Sequence, residues 1–250
     1  MTIIKLNAID STNSYLRQLC DTIPVDDMTI VVADFQNKGR GLMGTAWNSE
    51  KGKNLTYSVF KRHVCFLVDR NFYVSIVTSL ALIKTLKRFK IRDLSIKWPN
   101  DILAGNKKIC GILIENVIKR NQLEISIIGI GLNVNQHNFV NLPNASSMKK
   151  LTGSVFNLDK VLSVFQKEIK TYFEILKHEE YELLKNEYER HLFQQKKKSQ
   201  FKMPSGNVMT GIIEGINEQG ELIIRDHDGI KTSYGFKELE FANSFSRKIC

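Results

Sequence analysis

Two hydrophobic periods alternate along the chain. Apolar residues recur at helical spacing in residues 72–89, and again in 158–193, where a polar break near 177–179 predicts two helices. Residues 54–60 and 122–134 alternate apolar and polar side chains, as half-buried strands do. These elements predict an α+β fold with a mixed, largely antiparallel sheet flanked by helices. The other strands predicted in this part are 3–6, 28–33, 93–98, 102–104 and 108–117.

The pattern changes after the last helix. Residues 194–198 are polar and basic and form the best candidate for a domain boundary. Beyond them, short strands at 208–214, 222–226 and 231–236 are separated by turn residues, which predicts a small all-β barrel of about 45 residues. The two domains that we expect are residues 1–195 and 199–250.

Charge narrows the classes of partner. The 36 basic residues outnumber the 26 acidic ones and give a net charge of +10, so nucleic acid has to be considered. The basic runs at 84–92, 149–150 and 196–198 lack the interleaved aromatic residues of a stacking platform. Solvated surface is therefore the favoured interpretation, with no specific DNA binding.

Composition also indicates a cytoplasmic protein. No apolar run approaches the ~20 residues that a membrane span needs, and residues 1–5 lack the layout of a signal peptide. The cysteines are scattered without a Cys-x-x-Cys pair, which fits a reducing compartment. Neither they nor the histidines have zinc-ligand spacing, so no structural metal is expected. The four cysteines are Cys20, Cys65, Cys110 and Cys250.

A glycine-rich stretch, residues 33–47, lies between two predicted strands. Three glycines at 39, 41 and 44 can adopt positive φ and let a ligand approach the backbone. Gln36, Lys38 and Arg40 add amide, ammonium and guanidinium donors, a combination that suits a phosphate or carboxylate. The stretch does not match the P-loop pattern. Its three glycines have the Gly-x-Gly-x-x-Gly spacing, but that spacing alone is a weak signal, and taken alone the stretch is equally compatible with an ordinary surface turn.

Further polar clusters lie at the ends of apolar elements: residues 11–13, 97–101 and 129–135, with residues 107–115 between the last two. Each has a structural explanation when taken singly. Ser-Thr-Asn is a favoured helix N-cap, lysines end strands or mark sheet edges, and asparagines are common in turns. Their combination is far more specific.

Together these clusters resemble the biotin–protein ligase family, in its order and at its spacing, over nearly the whole chain. The resemblance implies a class II synthetase-like catalytic domain, of the kind shared with lipoate ligases, and an SH3-like C-terminal barrel. The matching motifs are Ser-Thr-Asn-Ser-Tyr-Leu at 11–16, Gln36 with Gly-Arg-Gly at 39–41, Gly44 and Trp47, Lys-Trp-Pro-Asn-Asp at 97–101, Lys108 with Gly-Ile-Leu-Ile-Glu at 111–115, and Gly-Leu-Asn-Val-Asn at 131–135.

The resemblance implies a two-step acyl transfer. The carboxylate of biotin attacks the α-phosphate of ATP, giving biotinyl-5′-adenylate and pyrophosphate. A lysine of a biotin carboxyl carrier domain, part of a biotin-dependent carboxylase, then attacks the adenylate and releases AMP. The phosphate chemistry implies Mg²⁺. Whether the protein is a monomer or a homodimer stays open.

The same matching implies roles for individual residues. Arg40 and Lys108 are the expected catalytic residues, because bringing a carboxylate to a phosphate requires positive charge. Asp101 is expected either to hold Mg²⁺ or to orient Lys97, and Leu42 is expected to act through its backbone only. The expected biotin-binding residues are Ser11, Thr12, Asn13, Gln36, Gly39, Arg40, Gly41, Leu42, Lys108 and Gly111. The expected ATP-binding residues are Arg40, Trp47, Lys97, Asn100, Asp101 and Asn133. Trp98 and Leu132 are expected as apolar walls.

The chain departs from the family pattern in two places. The loop often reads Gly-Arg-Gly-Arg-Arg-Gly-Arg-x-Trp, whereas Leu42, Met43 and Thr45 replace three of the arginines here. This change implies weaker retention of the adenylate or a different loop closure. Ten residues precede Ser11, too few for a DNA-binding domain, so the expectation is the monofunctional form, a ligase without repressor activity.

Three alternatives remain. A lipoate–protein ligase is related in structure but lacks the Gly-Arg-Gly and Lys-Trp-Pro-Asn-Asp pairing. A basic nucleic-acid-binding protein fits the charge of +10 but lacks a recognition helix and an aromatic platform. A catalytically inactive biotin-binding homologue is disfavoured because Arg40, Lys108 and Asn100 are all present.

Overall fold

The computed structural model describes residues 2–242, in which two sheets and five α-helices form. Cys250 and the last residues of the expected second domain lie outside this range. The strands are β1 (Ile3–Leu6), β2 (Ile30–Ala33), β3 (Leu55–Leu67), β4 (Leu94–Lys97), β5 (Asp101–Ala104), β6 (Lys107–Lys119), β7 (Gln122–Leu132), β8 (Lys198–Lys202), β9 (Val208–Ile216), β10 (Leu222–Arg225), β11 (Lys231–Tyr234) and β12 (Glu240–Phe241). The helices are α1 (Thr12–Thr22), α2 (Phe72–Arg88), α3 (Met148–Thr152), α4 (Leu158–Lys177) and α5 (Tyr181–Arg190).

The larger sheet has seven strands in the order β1-β2-β3-β7-β6-β5-β4. Only the β1–β2 pair in this sheet is parallel, and every other pair is antiparallel. The predicted α+β fold with a mixed, largely antiparallel sheet is therefore confirmed. The turn at Gly105, whose φ is +57°, joins β5 to β6 where the Gly-Asn pair predicts a hairpin.

Alternate residues of the central strands face opposite sides of the sheet. On one side, Tyr57 of β3 and Ile130 of β7 join the large apolar core with α2 and α4. On the other side, Phe60 and Ile127 pack with Leu16 of α1. α1 covers only part of this second side, and the candidate site occupies the rest.

Helix α2 is the central core helix, as its apolar spacing predicts. It is buried around most of its circumference, and its two buried threonines, Thr78 and Thr85, each donate to the carbonyl four residues earlier at 2.7 Å. These bonds satisfy hydroxyl groups that would otherwise be buried without a partner. The predicted break between the last two helices is also present, at Glu179, where φ is +57°.

Two elements differ from the sequence-based prediction. The strand predicted over 54–60 as half-buried runs to Leu67, and Leu55 to Phe60 are buried on both sides because α1 and α4 cover opposite sides of the sheet. The short helix α3 was not predicted; Ser147 caps it, accepting from Lys150 N at 3.1 Å. Within residues 2–242, no helix is long and apolar enough to cross a membrane.

The C-terminal sheet has the order β11-β10-β9-β8-β12 and is antiparallel throughout. In the described part of the chain β11 and β12 remain edges, so the expected barrel is not closed. Lys198, expected in a linker, begins β8. This sheet packs against the larger domain: Trp98 Nε1 donates to the Gly220 carbonyl at 2.8 Å, and Arg70 pairs with Glu218 at 2.7 Å.

Candidate active site

Three glycines form the floor of the candidate site. Gly111 on β6 and Gly129 and Gly131 on β7 lie on the side of the sheet that α1 partly covers. A Cβ on Gly131 would collide with the indole of Trp47, and one on Gly111 would lie 3.2 Å from Trp47 Cζ3. A Cβ on Gly129 would likewise meet the Asn13 amide. Glycine is therefore required here by the close approach of other side chains.

A hydrogen-bonded cluster lies at the α1 end of this floor. Gln36 Oε1 accepts from Thr12 N at 2.8 Å and from Thr12 Oγ1 at 3.0 Å. The buried Ser58 hydroxyl lies 2.7 Å from Thr12 Oγ1 and 2.6 Å from Asn13 Oδ1. Ser11 caps the helix by accepting from Ser14 N at 3.4 Å. The Ser-Thr-Asn motif is thus both a helix cap and part of the cluster.

The glycine loop folds back on itself as a narrow turn. Arg40 bridges to Ala46, Trp47 N donates to the Gly39 carbonyl at 2.9 Å, and a 3-10 turn covers Leu42–Gly44. The Leu42 carbonyl accepts from Thr45 Oγ1 at 2.8 Å, so the backbone of Leu42 holds the turn. This closure brings Trp47 over the glycine floor.

Charged side chains line the opposite end of the floor. Lys108 Nζ lies 2.7 Å from Asp101 Oδ1 and 5.8 Å from the centre of the Trp47 ring. Burial lowers the pKa of Lys97, and the Asp101 carboxylate partly opposes that shift. Asp101 thus faces two lysines, which leaves this end of the site positively charged. Such an arrangement can neutralise an anionic ligand.

The two asparagines predicted for ATP use their amide groups on the backbone. Asn100 Nδ2 donates to the Ile112 carbonyl at 2.9 Å, and the buried Asn133 Nδ2 donates to the Ser146 carbonyl at 3.0 Å. Asn100 thereby holds the β4–β5 turn against β6. Both contacts place these residues at the Lys108 end of the floor, where β6 and β7 meet the surrounding loops.

Three residues lie elsewhere than the sequence analysis expected. Trp98 is buried in the core with its indole N–H bound to Gly220, and Leu132 faces the same core, so neither is an apolar wall of this floor. Lys38, considered as an anion donor, pairs with Asp10 at 2.9 Å at the exposed start of the loop. Strand alternation places Leu132 on the opposite side from Gly131.

Sequence reasoning missed Ser58, and it quoted Glu115 only within the motif at 111–115 without assigning it a role. Glu115 Oε2 accepts from Asn13 Nδ2 at 2.7 Å and from Arg40 Nη2 at 3.0 Å. Both lie on the same side of the sheet as Gly129 and Gly131. The signal was their strand register: polar side chains at the alternate positions of otherwise apolar strands face whatever the glycines face.

Comparisons with known proteins place this arrangement in a family. The sequence model of the biotin/lipoate A/B protein ligase family matches residues 6–133, and that of the biotin protein ligase C-terminal domain matches residues 200–237. The first match covers half of the chain and spans the glycine loop and the glycine floor. The chain belongs to the biotin/lipoate A/B protein ligase family.

Similarity to individual relatives supports this family membership. The chain is 30% identical over 179 residues to the bifunctional ligase/repressor BirA of Bacillus spizizenii, covering 68% of this chain and 54% of that protein. It is 25% identical over 201 residues to the biotin–[acetyl-CoA-carboxylase] ligase of Mycobacterium tuberculosis, covering 79% and 73% of the two chains. The chain spans about half the length of the Bacillus relatives that it matches.

Among solved structures, the biotin protein ligase of Aquifex aeolicus in complex with biotin and ATP is 26% identical, with a TM-score of 0.79. The superposition covers 96% of this chain and 97% of that one. The R40G mutant of the same ligase in complex with biotin gives a TM-score of 0.80 at 26% identity, over 98% and 99% of the two chains. The likeness therefore extends through both sheets.

Proposed function

We propose that this protein is a biotin–[acetyl-CoA-carboxylase] ligase, which activates biotin as biotinyl-5′-adenylate and transfers it to a lysine of a biotin carboxyl carrier domain. The observation that carries the proposal is the convergence of separate motifs on one glycine floor. Residues of α1, the glycine loop, the β4–β5 connection at 97–101 and strands β6 and β7 meet there, with hydrogen-bonding groups at one end and lysines at the other.

The hydrogen-bonding end suits the ureido ring of biotin. Gln36 Oε1 accepts two hydrogen bonds from Thr12. These bonds orient Gln36 Nε2 as a donor toward the space beside Gly39. Ser58 Oγ lies 2.7 Å from Thr12 Oγ1 on the other side and is itself held by donating to Asn13 Oδ1. A planar polar ligand would meet groups whose orientations are already set, so little conformational entropy is lost on binding.

The charged end suits the first chemical step. A carboxylate oxygen of biotin forms a bond to the α-phosphorus of ATP, and the bond from that phosphorus to the pyrophosphate oxygen breaks. Lys108 at this end would neutralise the two approaching anions and the charge on the phosphoryl oxygens, together with Arg40 of the glycine loop, whose guanidinium pairs with Glu115 nearer the α1 end. Trp47, Asn100 and Asn133 are the proposed contacts of the adenosine and phosphates.

Magnesium is part of the proposal through the phosphates of ATP. In the described part of the chain, no three His, Cys, Asp or Glu side chains form a metal-binding cluster. Mg²⁺ in nucleotide sites is commonly held by one or two carboxylates and by the substrate phosphates, so a single carboxylate such as Asp101 fits. Asp101 would need to exchange its contact with Lys108 for the ion.

The test is exchange of labelled pyrophosphate into ATP by the purified protein with Mg²⁺, with biotin or lipoate as the acid. Biotin-dependent exchange is the expected result, followed by incorporation of biotin into a carrier domain. Exchange with lipoate alone would instead assign the chain to the lipoate branch of the family. Tight biotin binding without any exchange would indicate a binding protein that has lost the chemistry.

A control at physiological salt tests the nucleic-acid alternative. The net charge of +10 allows nonspecific electrostatic attraction, which weakens steeply as salt rises. We expect no retention of a mixed-sequence DNA duplex by the protein at that salt. Sequence-dependent retention would favour a nucleic-acid-binding function instead.

A further inference from the structure

Glu115 joins two parts of the site that come from distant segments. A single oxygen, Oε2, accepts from Asn13 Nδ2 at 2.7 Å and from Arg40 Nη2 at 3.0 Å. The side chain projects from β6 on the same side of the sheet as the glycine floor and is 27% exposed. It therefore connects the start of α1 to the glycine loop.

Asn13 is held rigidly on the other side of this contact. Its Oδ1 accepts from the Ser58 hydroxyl at 2.6 Å, and its Nδ2 donates to the Leu113 carbonyl at 3.2 Å as well as to Glu115. The residue is 3% exposed, and its amide lies against Gly129. Both amide hydrogens are therefore used within the protein, one on the Leu113 carbonyl and one on Glu115.

The Arg40 side chain, by contrast, has few other restraints. The backbone is held in the turn by the bridge to Ala46, but Glu115 is the one polar partner of the Arg40 side chain among the described residues, and Arg40 is the only charged residue in the stretch 39–47. Its side chain is 45% exposed, and an ion pair with that exposure adds little to folding stability. The contact with Glu115 restricts the guanidinium to one position beside the site.

We propose that Glu115 is a positioning residue, which holds the Arg40 guanidinium beside the site for adenylate formation and uses Asn13 as its fixed support. The proposal rests on the proposed function, since it assigns the purpose of the contact to that reaction. The loop has one arginine where the family often has four, so this single cation has to be held in place to act on the phosphate.

The test compares Glu115→Ala and Glu115→Gln with Glu124→Gln. Glu124 is a matched control, because it pairs with Lys119 at 2.9 Å near the β6–β7 turn, away from the glycine floor. In biotin-dependent pyrophosphate exchange, we expect Glu115→Ala to lower kcat about 10- to 100-fold, with KM for biotin changed less than about threefold. Glu115→Gln should be intermediate, since it keeps the shape but loses the charge-assisted bond.

A double variant separates positioning from a general structural role. If Glu115 acts through Arg40, the Glu115→Ala and Arg40→Ala pair should be no slower than Arg40→Ala alone. Losses that multiply would overturn the proposal. So would a kcat for Glu115→Ala within about twofold of the wild type, or a loss of activity explained by a lower folded fraction in thermal melts.

Limited trypsin digestion gives a readout that needs no activity. Glu115→Ala should be cleaved after Arg40 several-fold faster than the wild type, whereas Glu124→Gln should not, because only the first change releases the guanidinium. Unchanged cleavage would overturn the proposal. If the wild type shows no exchange with biotin, the proposed function fails, and the digestion still decides whether Glu115 holds Arg40.

Discussion

The two sides of strands β7 and β6 serve different purposes although their residues alternate along the same chain. On the side of α2 and α4, Ile128 and Ile130 are fully or almost fully buried in the large apolar core. On the other side, Gly129 and Gly131 carry no side chain, and Asn13 and Trp47 lie against them. The first side fills the core with apolar side chains, and the second leaves room above the sheet for Asn13, Trp47 and the candidate site.

Residues that contribute to folding stability and residues that face the candidate site are therefore one position apart in the same strand. Adjacent strand residues point in opposite directions, so a change at one position reaches the core and a change at the next reaches the site. Polar groups such as Ser58 are tolerated within a buried strand because they face the site and find partners there. The comparison can be tested by changing the two sides separately.

The largest expected effect on the site side is at Lys108. We expect Lys108→Ala to reduce biotin-dependent pyrophosphate exchange about 10²- to 10³-fold, because a preorganised cation beside the phosphate is lost. The folding stability should change by less than about 1 kcal/mol, since the pair with Asp101 is partly exposed.

The neighbouring Lys107 provides the control for that measurement. Its Nζ donates to the Pro143 carbonyl at 2.6 Å, on the loop between β7 and α3, so Lys107→Ala removes the same charge from the chain without touching the glycine floor. Its exchange rate should stay near that of the wild type. Near-normal exchange in Lys108→Ala would remove Lys108 from the proposed machinery.

Substitutions at two adjacent positions of β7 test the difference between the two sides of the sheet directly. Ile130→Ala should lower the free energy of unfolding by about 2–5 kcal/mol, because it leaves a cavity in the core, while the folded fraction keeps its activity. Gly131→Ala should change stability much less but reduce exchange about tenfold, because the new Cβ displaces the Trp47 indole. Urea titrations and exchange assays on both variants measure the two effects. Equal losses of stability would contradict the separation of the two sides.

The smallest expected effect is a change in the pH dependence of folding stability, caused by His63 on the core side of the sheet. Burial, with Lys61 nearby, lowers the pKa of His63 to about 4, and its ring lies 2.9 Å from Ser126 Oγ. Between pH 6.5 and pH 4 the unfolded chain binds more protons at this position than the folded one, so stability falls as pH drops through that range. His63→Gln should flatten this dependence by about 2–3 kcal/mol in unfolding titrations. An unchanged slope would exclude His63 as its source.

Local patterns were sufficient for much of the fold. The spacing of apolar residues predicted α2, the break between α4 and α5, and the strands of the larger sheet, because burial of an apolar face dictates a period of 3.6 or 2. The Gly-Asn pair predicted the β5–β6 hairpin. The short elements α3, β8 and β12 were not predicted, because contacts with distant segments hold them and they carry little apolar periodicity of their own.

The amino-acid sequence supplies the residue types for the site: a glycine-rich loop, a capping Ser-Thr-Asn, the Lys-Trp-Pro-Asn-Asp segment and Lys108. Their arrangement follows from the tertiary structure. In it, Trp98 contacts the C-terminal sheet, the Asn13 amide bonds to groups of the protein, and Glu115 pairs with Arg40. Residues 75 positions apart meet through strand register and chain topology, which depend on the packing of the whole domain and not on any local pattern.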